Sequence, residues 1–255
     1  MRTWQGGRTA AWVAVAGLVV AAVSLWHDVA TEEEPGAFTV LELSADSSRE
    51  IPATEQAAPD APKLPTTTEA TVLAVGLKND TSSLRTFKQI GIRNKGQVSV
   101  TPCGGGSGGG TVFTATYEVD LPPVGKTALT QAPHGHNFEP KKAEAFHLTL
   151  GSPGGTDDLL QAGGVYALEV FLVEDNGHVF EAGKITVAET PAVATQYPMD
   201  LSLLQLSSYP DEKCVRKTAA GIKKLADDGY PLSDQVKNLH AGLLKTADEL
   251  ATATP

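Results

Sequence analysis

Between Thr9 and Trp26 the chain runs TAAWVAVAGLVVAAVSLW, 18 residues without a charge. As a helix, at about 1.5 Å per residue, this segment covers roughly 27 Å, close to the hydrocarbon thickness of a bilayer. Trp12 and Trp26 stand near its ends, where indole rings partition to the membrane interface. Arg2 and Arg8 are the only charges ahead of it, whereas Asp28, Glu32, Glu33 and Glu34 follow. The basic flank predicts residues 1–8 as a cytoplasmic tail, 9–26 as a single-pass transmembrane anchor, and the rest of the chain outside. A cleaved signal peptide is the rival reading, with secretion as its consequence. Its apolar core is shorter, about 7–15 residues, and it ends in an A-x-A-like site. Here the best such site ends at Ala30, with Asp28 where a small neutral residue belongs.

Charge excludes some partners. The formal net charge is −10, and removing Arg2 and Arg8 leaves 18 bases against 30 acids on the outer side. So acidic an exterior argues against nucleic acid and anionic lipid as ligands. Residues 28–62 alone hold nine acids and one base, Arg49. With Pro52, Pro59, Pro62 and Pro65 punctuating it, the stretch 27–69 reads as an acidic, Pro-rich stalk with a candidate edge strand at 38–43, FTVLEL. Within it, 44–70 reads as a mobile linker.

From 70 to 190 the pattern becomes short alternating runs between Gly, Pro, Asn and Asp signals. Leu73, Val75 and Leu77 share one face; Ile90 and Ile92 precede a turn signal at Asn94-Lys95-Gly96, and Val98 and Val100 follow it. Phe113, Ala115, Tyr117, Val119 and Leu121 make the cleanest alternation, followed by Phe146, Leu148 and Leu150, then Tyr166, Leu168, Val170 and Leu172, then Ile185 and Val187. Asn176-Gly177 between the last two runs is a strong hairpin signal. Six or seven strands with no crossover helices predict an antiparallel β-sandwich.

The succession LKND, PC before a polar loop, TYEVDLPPVGK, KKAEAFHLTLG and VYALEVFLVEDNGHVFEAGKITVA resembles extracytoplasmic immunoglobulin-like domains of membrane-anchored proteins from high-GC Gram-positive bacteria, over residues 70–189. The resemblance implies an immunoglobulin-like sandwich held outside the membrane and carries no residue roles. The Cys-Trp-Cys core of antibody domains is absent, since Trp4, Trp12 and Trp26 all precede the strands.

Residues 191–255 read as a linker and a C-terminal helical hairpin, with 199–206 a short helix or extended docking segment. Pro210-Asp211-Glu212 opens the first helix, and Val215, Ala219, Ile222 and Leu225 form its stripe. Gly229 and Pro231 end it. Ser233-Asp234 opens the second, with Val236, Leu239, Leu243, Leu244 and Leu250 on one side. Cys103 and Cys214 are the only cysteines. In an exported chain they predict one disulfide, clamping the hairpin to the rim of the sandwich.

No catalytic, cofactor-binding or metal-binding residue is assigned, and no cofactor. GGGSGGG at 104–110 formally holds G-x-S-x-G around Ser107, but a strand follows where a nucleophile elbow needs a helix. His134, His136, His147 and His178 fit no common metal spacing. Asn79-Asp80-Thr81 is a formal glycosylation acceptor at a strand end, where turn chemistry is the commoner use. The sequence thus predicts a non-enzymatic, membrane-anchored binding or scaffold module with a protein partner. The alternative is a cell-envelope enzyme, or an accessory subunit of one, working through the Gly/His-rich loops.

Overall fold

Nine strands and three helices fill most of residues 37–56, 62–101, 103, 112–151, 163–199 and 210–253, which are the residues the computed structural model describes. The strands are β1 (Phe38–Gln56), β2 (Leu64–Asn79), β3 (Arg85–Val100), β4 (Val112–Ala115), β5 (Val119–Asp120), β6 (Thr127–Phe138), β7 (Ala143–Gly151), β8 (Gly163–Glu174) and β9 (Val179–Ala188). The helices are α1 (Pro191–Thr195), α2 (Glu212–Asp227) and α3 (Asp234–Ala253). Among the described residues sheet A has the order β4-β1-β2-β7-β5 and sheet B the order β6-β3-β8-β9. All pairings are antiparallel except β5 with β7, a short parallel pair at the edge of sheet A.

The predicted antiparallel β architecture is what the chain adopts, but several boundaries differ. Beyond the candidate edge strand at 38–43, the stretch predicted as a stalk and mobile linker is also strand over the rest of Phe38–Gln56 and again from Leu64. β1 and β2 pair from Phe38↔Asn79 to Glu55↔Leu64, across most of the acidic, Pro-containing run. Acids and prolines are tolerated there because much of this ribbon is exposed: Glu50 faces Glu69 in the ladder, and Thr67 donates a hydrogen bond to Glu50. Phe38 is tied into the core by its ring, 4.9 Å from Phe87 and 5.7 Å from Phe138 between centroids. Asn94-Lys95-Gly96 is a bulge and not a turn. β3 runs unbroken through it because β8 pairs along its length, from Phe87↔Glu174 to Val100↔Gly163. The alternating run from 113 to 121 divides, β4 joining β1 and β5 joining β7. The segment holding Pro133, His134 and His136, predicted as loop, lies within β6. Pro and Gly fit because β6 is an edge strand whose register jumps between Gln131 and His136.

The turn at Asn176-Gly177 joins β8 to β9, with Gly177 at φ +88. The inner faces of the sheets bury Leu73, Val75, Leu77, Ile90, Ile92, Leu168 and Leu172. Thr71 links the sheets by donating to the Ala188 carbonyl at 2.9 Å.

The helices form a third layer against the outer face of sheet B. Asp211 caps α2 by accepting from the Lys213 amide, and Ser233 caps α3 by accepting from the Val236 amide. Val215, Ala219, Ile222 and Leu225 of α2 and Val236, Leu239, Leu243, Ala247 and Leu250 of α3 share a core with Val100, Val165, Ala167 and Ala188 of the sheet. Leu244 is the exception to the predicted stripe and faces outward. Seven buried Val, Ile and Leu side chains on two helices contribute on the order of 10–20 kcal/mol before ordering entropy is subtracted. The expected anchor Thr9–Trp26 lies outside the described residues, among which no helix is long and apolar enough to cross a membrane.

Candidate functional site

The helical layer covers only part of sheet B. On the outer face, Gly96, Val98, Val100, Val165 and Ala167 lie beneath α2 and α3. Among the described residues no helix lies over the remainder of that face, built from the middle of β3, β6, β8 and β9, where Leu129 and Val179 are exposed and Phe171 and Val173 lie buried. Cross-strand register arranges it in rows. Thr127, Arg93, Glu169 and Lys184 form the first row, beside the helices. Leu129, Gly91, Phe171 and Glu181 form the second, and Gln131, Gln89, Val173 and Val179 the third.

In the second row Gly91 has a physical role. A Cβ there would strike the Phe171 ring, so only glycine lets the ring lie across β3 toward Leu129. Phe171 is thereby 8% exposed, whereas Leu129 on one side is 51% exposed and Val179 on the other 39%. The face is therefore an apolar strip with two raised aliphatic ends.

The first row is charged. Arg93 donates through Nη1 to Glu169 Oε2 at 2.9 Å, Lys95 lies 3.6 Å from the same oxygen, and the Tyr230 hydroxyl donates to Oε1 at 3.3 Å. Burial acts to raise the Glu169 carboxyl, but the Arg93 hydrogen bond and the Lys95 and Arg93 charges outweigh it and hold it below the usual glutamate range. The Tyr230 phenol is pushed up, by burial first and by Glu169 second. Arg93 also lies over the Phe171 ring at 5.5 Å and Lys184 over the Tyr230 ring at 5.3 Å. Tyr230 leads the α2–α3 connection, so the row ties that connection to the sheet. It also sets two cations, Arg93 and Lys95, on one carboxylate, with Lys184 on the neighbouring strand.

The hairpin is fixed at its other side by the predicted disulfide. Cys103 and Cys214 are bonded, with S–S 2.09 Å and Cα–Cα 5.6 Å. Beside it the Asp211 amide donates to the Cys103 carbonyl at 2.7 Å and the Tyr197 hydroxyl to the Thr101 carbonyl at 3.0 Å. Burial pushes the Tyr197 phenol up to about 12.

The other residues singled out in the sequence do not converge. Ser107 and its glycine loop lie outside the described residues. His136 packs beside Phe146 and Phe138, His147 is exposed on β7, and His178 sits in the β8–β9 turn, 3.8 Å from Glu174. His134 belongs to the β6 backbone. Among the described residues no three His, Cys, Asp or Glu side chains gather as a metal ion requires. Asn79 is fully buried. Its amide donates to the Ser83 and Phe138 carbonyls and accepts from the Thr81 amide and hydroxyl, so it is a turn organiser with no group left to glycosylate.

Arg93, Lys95, Glu169, Phe171 and Lys184 were not read as a group in the sequence. One signal for them existed. Around the predicted face of Tyr166, Leu168, Val170 and Leu172, the intervening Val165, Ala167, Phe171 and Val173 are also apolar. A run apolar on both faces marks a strand covered on both sides, interrupted here by Glu169. No protein-family model, curated protein sequence or solved structure matches the chain.

Proposed function

We propose that this chain is a membrane-anchored, extracytoplasmic binding or scaffold module of the immunoglobulin-like type, whose open face on sheet B contacts a protein partner. The observation that carries the reading is the partial cover of that sheet. A disulfide-fixed hairpin buries one half of the outer face, while the other half keeps Leu129 and Val179 exposed around Phe171. An apolar strip rimmed by charges is the character of a contact surface. The disulfide supports an oxidising compartment, in keeping with the anchor at residues 9–26 and an exterior C-terminal part. The tether between that anchor and β1 is then residues 27–37, much shorter than the predicted stalk.

The test places a photocrosslinking amino acid at Gln131, an exposed position on the open face, and at Lys223 on the exposed side of α2, in full-length protein in its native envelope. A discrete crosslinked product from position 131, absent from 223 and lost on adding Leu129→Arg, supports the reading. Equal products from both positions, or none from 131, refute it. Protease added to spheroplasts should digest the chain beyond residue 27, and protection of the C-terminal helices would overturn the topology.

A further inference from the structure

We infer that the open face takes an extended acidic peptide segment, with a carboxylate side chain beside Arg93, Lys95 and Lys184 and apolar side chains against exposed Leu129 in the second row and exposed Val179 in the third; this rests on the binding-module reading. The first argument is charge. The chain carries a net −10, yet this row sets Arg93 and Lys95 on Glu169 and holds Lys184 on the neighbouring strand, over the Tyr230 ring. Both Glu169 oxygens are engaged, by Arg93 and Lys95 on one side and Tyr230 on the other. Arg93 spends only one nitrogen of its fork on that contact, and among the described residues Lys184 has no carboxylate partner. Glu181, one row further on, is the other acid of this face, and the balance remains positive. An incoming carboxylate therefore meets unspent donors, including a planar guanidinium suited to it.

The second argument is spacing. Rows on the sheet are two residues apart along β3, β6 and β8, roughly 6.8 Å, while the register shift on β9 sets Lys184 and Glu181 three residues apart; same-side side chains of an extended peptide repeat at the same roughly 6.8 Å. A segment lying along the strands therefore sets residue i over the charged row, i+2 over Leu129 and the flattened Phe171 ring, and i+4 beside Val179. The matching sequence is acidic-x-apolar-x-apolar. A wholly polar polyanion would satisfy the first row and leave the exposed aliphatic groups of the next two against water. The peptide is the occupant that uses all three.

The experiment uses full-length protein in detergent micelles. It flows over immobilised acetyl-Glu-Thr-Leu-Thr-Val-Thr and over the same peptide with Gln for Glu, each attached through a C-terminal biotin, at 50 and 300 mM NaCl. The acidic peptide should bind about 5–10-fold tighter than the Gln peptide at low salt, with the gap closing at high salt as screening shortens to a few ångström. Lys95→Gln with Lys184→Gln should narrow the gap between the acidic and Gln peptides, leaving the share that Arg93 supplies, and should leave the Gln peptide unchanged. Leu129→Ser, at a half-exposed position, should weaken both. Equal binding of the two peptides, an acid preference undiminished by the double lysine variant, or no binding of either overturns the inference. If Leu129→Ser still weakens both peptides in the first two cases, the surface stands without its carboxylate preference. If Leu129→Ser changes neither peptide, the surface reading itself fails.

Discussion

Replacing both cysteines, Cys103→Ser with Cys214→Ser, separates two explanations of how the hairpin is held. The crosslink closes a loop of about 111 residues. The chain-entropy relation gives it about 4.8 kcal/mol at 25 °C, through the unfolded chain. For a domain of this size each kcal/mol moves Tm by about 2–4 °C, so the double variant should melt roughly 10–19 °C lower. The folded state should hardly change. The helices keep their joint core with Val98, Val100, Val165, Ala167 and Ala188, and the hydrogen bonds from Asp211 to Cys103 and from Tyr197 to Thr101 use atoms the substitutions leave in place. Differential scanning calorimetry of the full chain in detergent reads the first effect, and the far-UV circular dichroism spectrum at 20 °C reads the second. A Tm change below about 3 °C would refute the entropy argument. Loss of helical signal at 20 °C would show that the disulfide, and not the shared core, keeps the hairpin folded.

Asn79→Ala should destabilise by about 2–4 kcal/mol in chemical denaturation, since it orphans the buried Ser83 and Phe138 carbonyls, and the intact mass of exported wild type should show no glycan on Asn79. Gly242→Ala on α3 sets a Cβ 2.5 Å from the Tyr197 carbonyl carbon, so it should cost about 1–3 kcal/mol, whereas Ala substitution at exposed Lys245 should cost under about 0.5. The raised Tyr197 phenol gives a pH window: its contribution to stability is complete below the ordinary tyrosine range near 10 and is lost as pH rises through about 12. Absorbance at 295 nm should show late tyrosine ionisation that loses one tyrosine's amplitude near pH 12 in Tyr197→Phe, and a late wave of unchanged amplitude in the variant would contradict this.

What the sequence made legible and what it hid divide along a physical line. Val215, Ala219, Ile222 and Leu225 recur at helical spacing because one side of α2 faces a core, and that periodicity needs no knowledge of what the core is. The hairpin at Asn176-Gly177 is equally local. Of β1 only the first part, 38–43, was legible; the rest was hidden because its signal is not local. Arg49 to Glu55 opposes Ala70 to Leu64, and the residues that stabilise the ribbon belong to a partner strand that composition cannot name. Nine acids in the run argued for a solvated spacer, yet an exposed ribbon in a sheet solvates its acids just as well. Asn94-Lys95-Gly96 misled for a related reason. The residues that make a turn also make a bulge, and the choice was settled by β8 pairing straight through.

Glycines shape the outer face of sheet B. Read along the chain, glycine marks turns, but four of these sit where something lies down on the sheet. A Cβ at Gly96 would press on Leu225, one at Gly163 on Val193 and one at Gly221 on Val98, so these three let α1 and α2 approach sheet B. Gly91 belongs to the same sheet face and performs the same service for Phe171, a side chain of the sheet itself. That difference defines the candidate surface. Where the helices end, at the Tyr230–Glu169–Arg93 row, the sheet covers its own backbone with a flattened ring, and Leu129 and Val179 stand above it. Had Gly91 carried a side chain, Phe171 would stand upright and the strip between those two residues would be filled. The sequence at 91 is thus tied to the shape of the open face, and Gly91→Val, which closes the strip from within, should abolish peptide binding there while leaving the disulfide-fixed hairpin and its core in place.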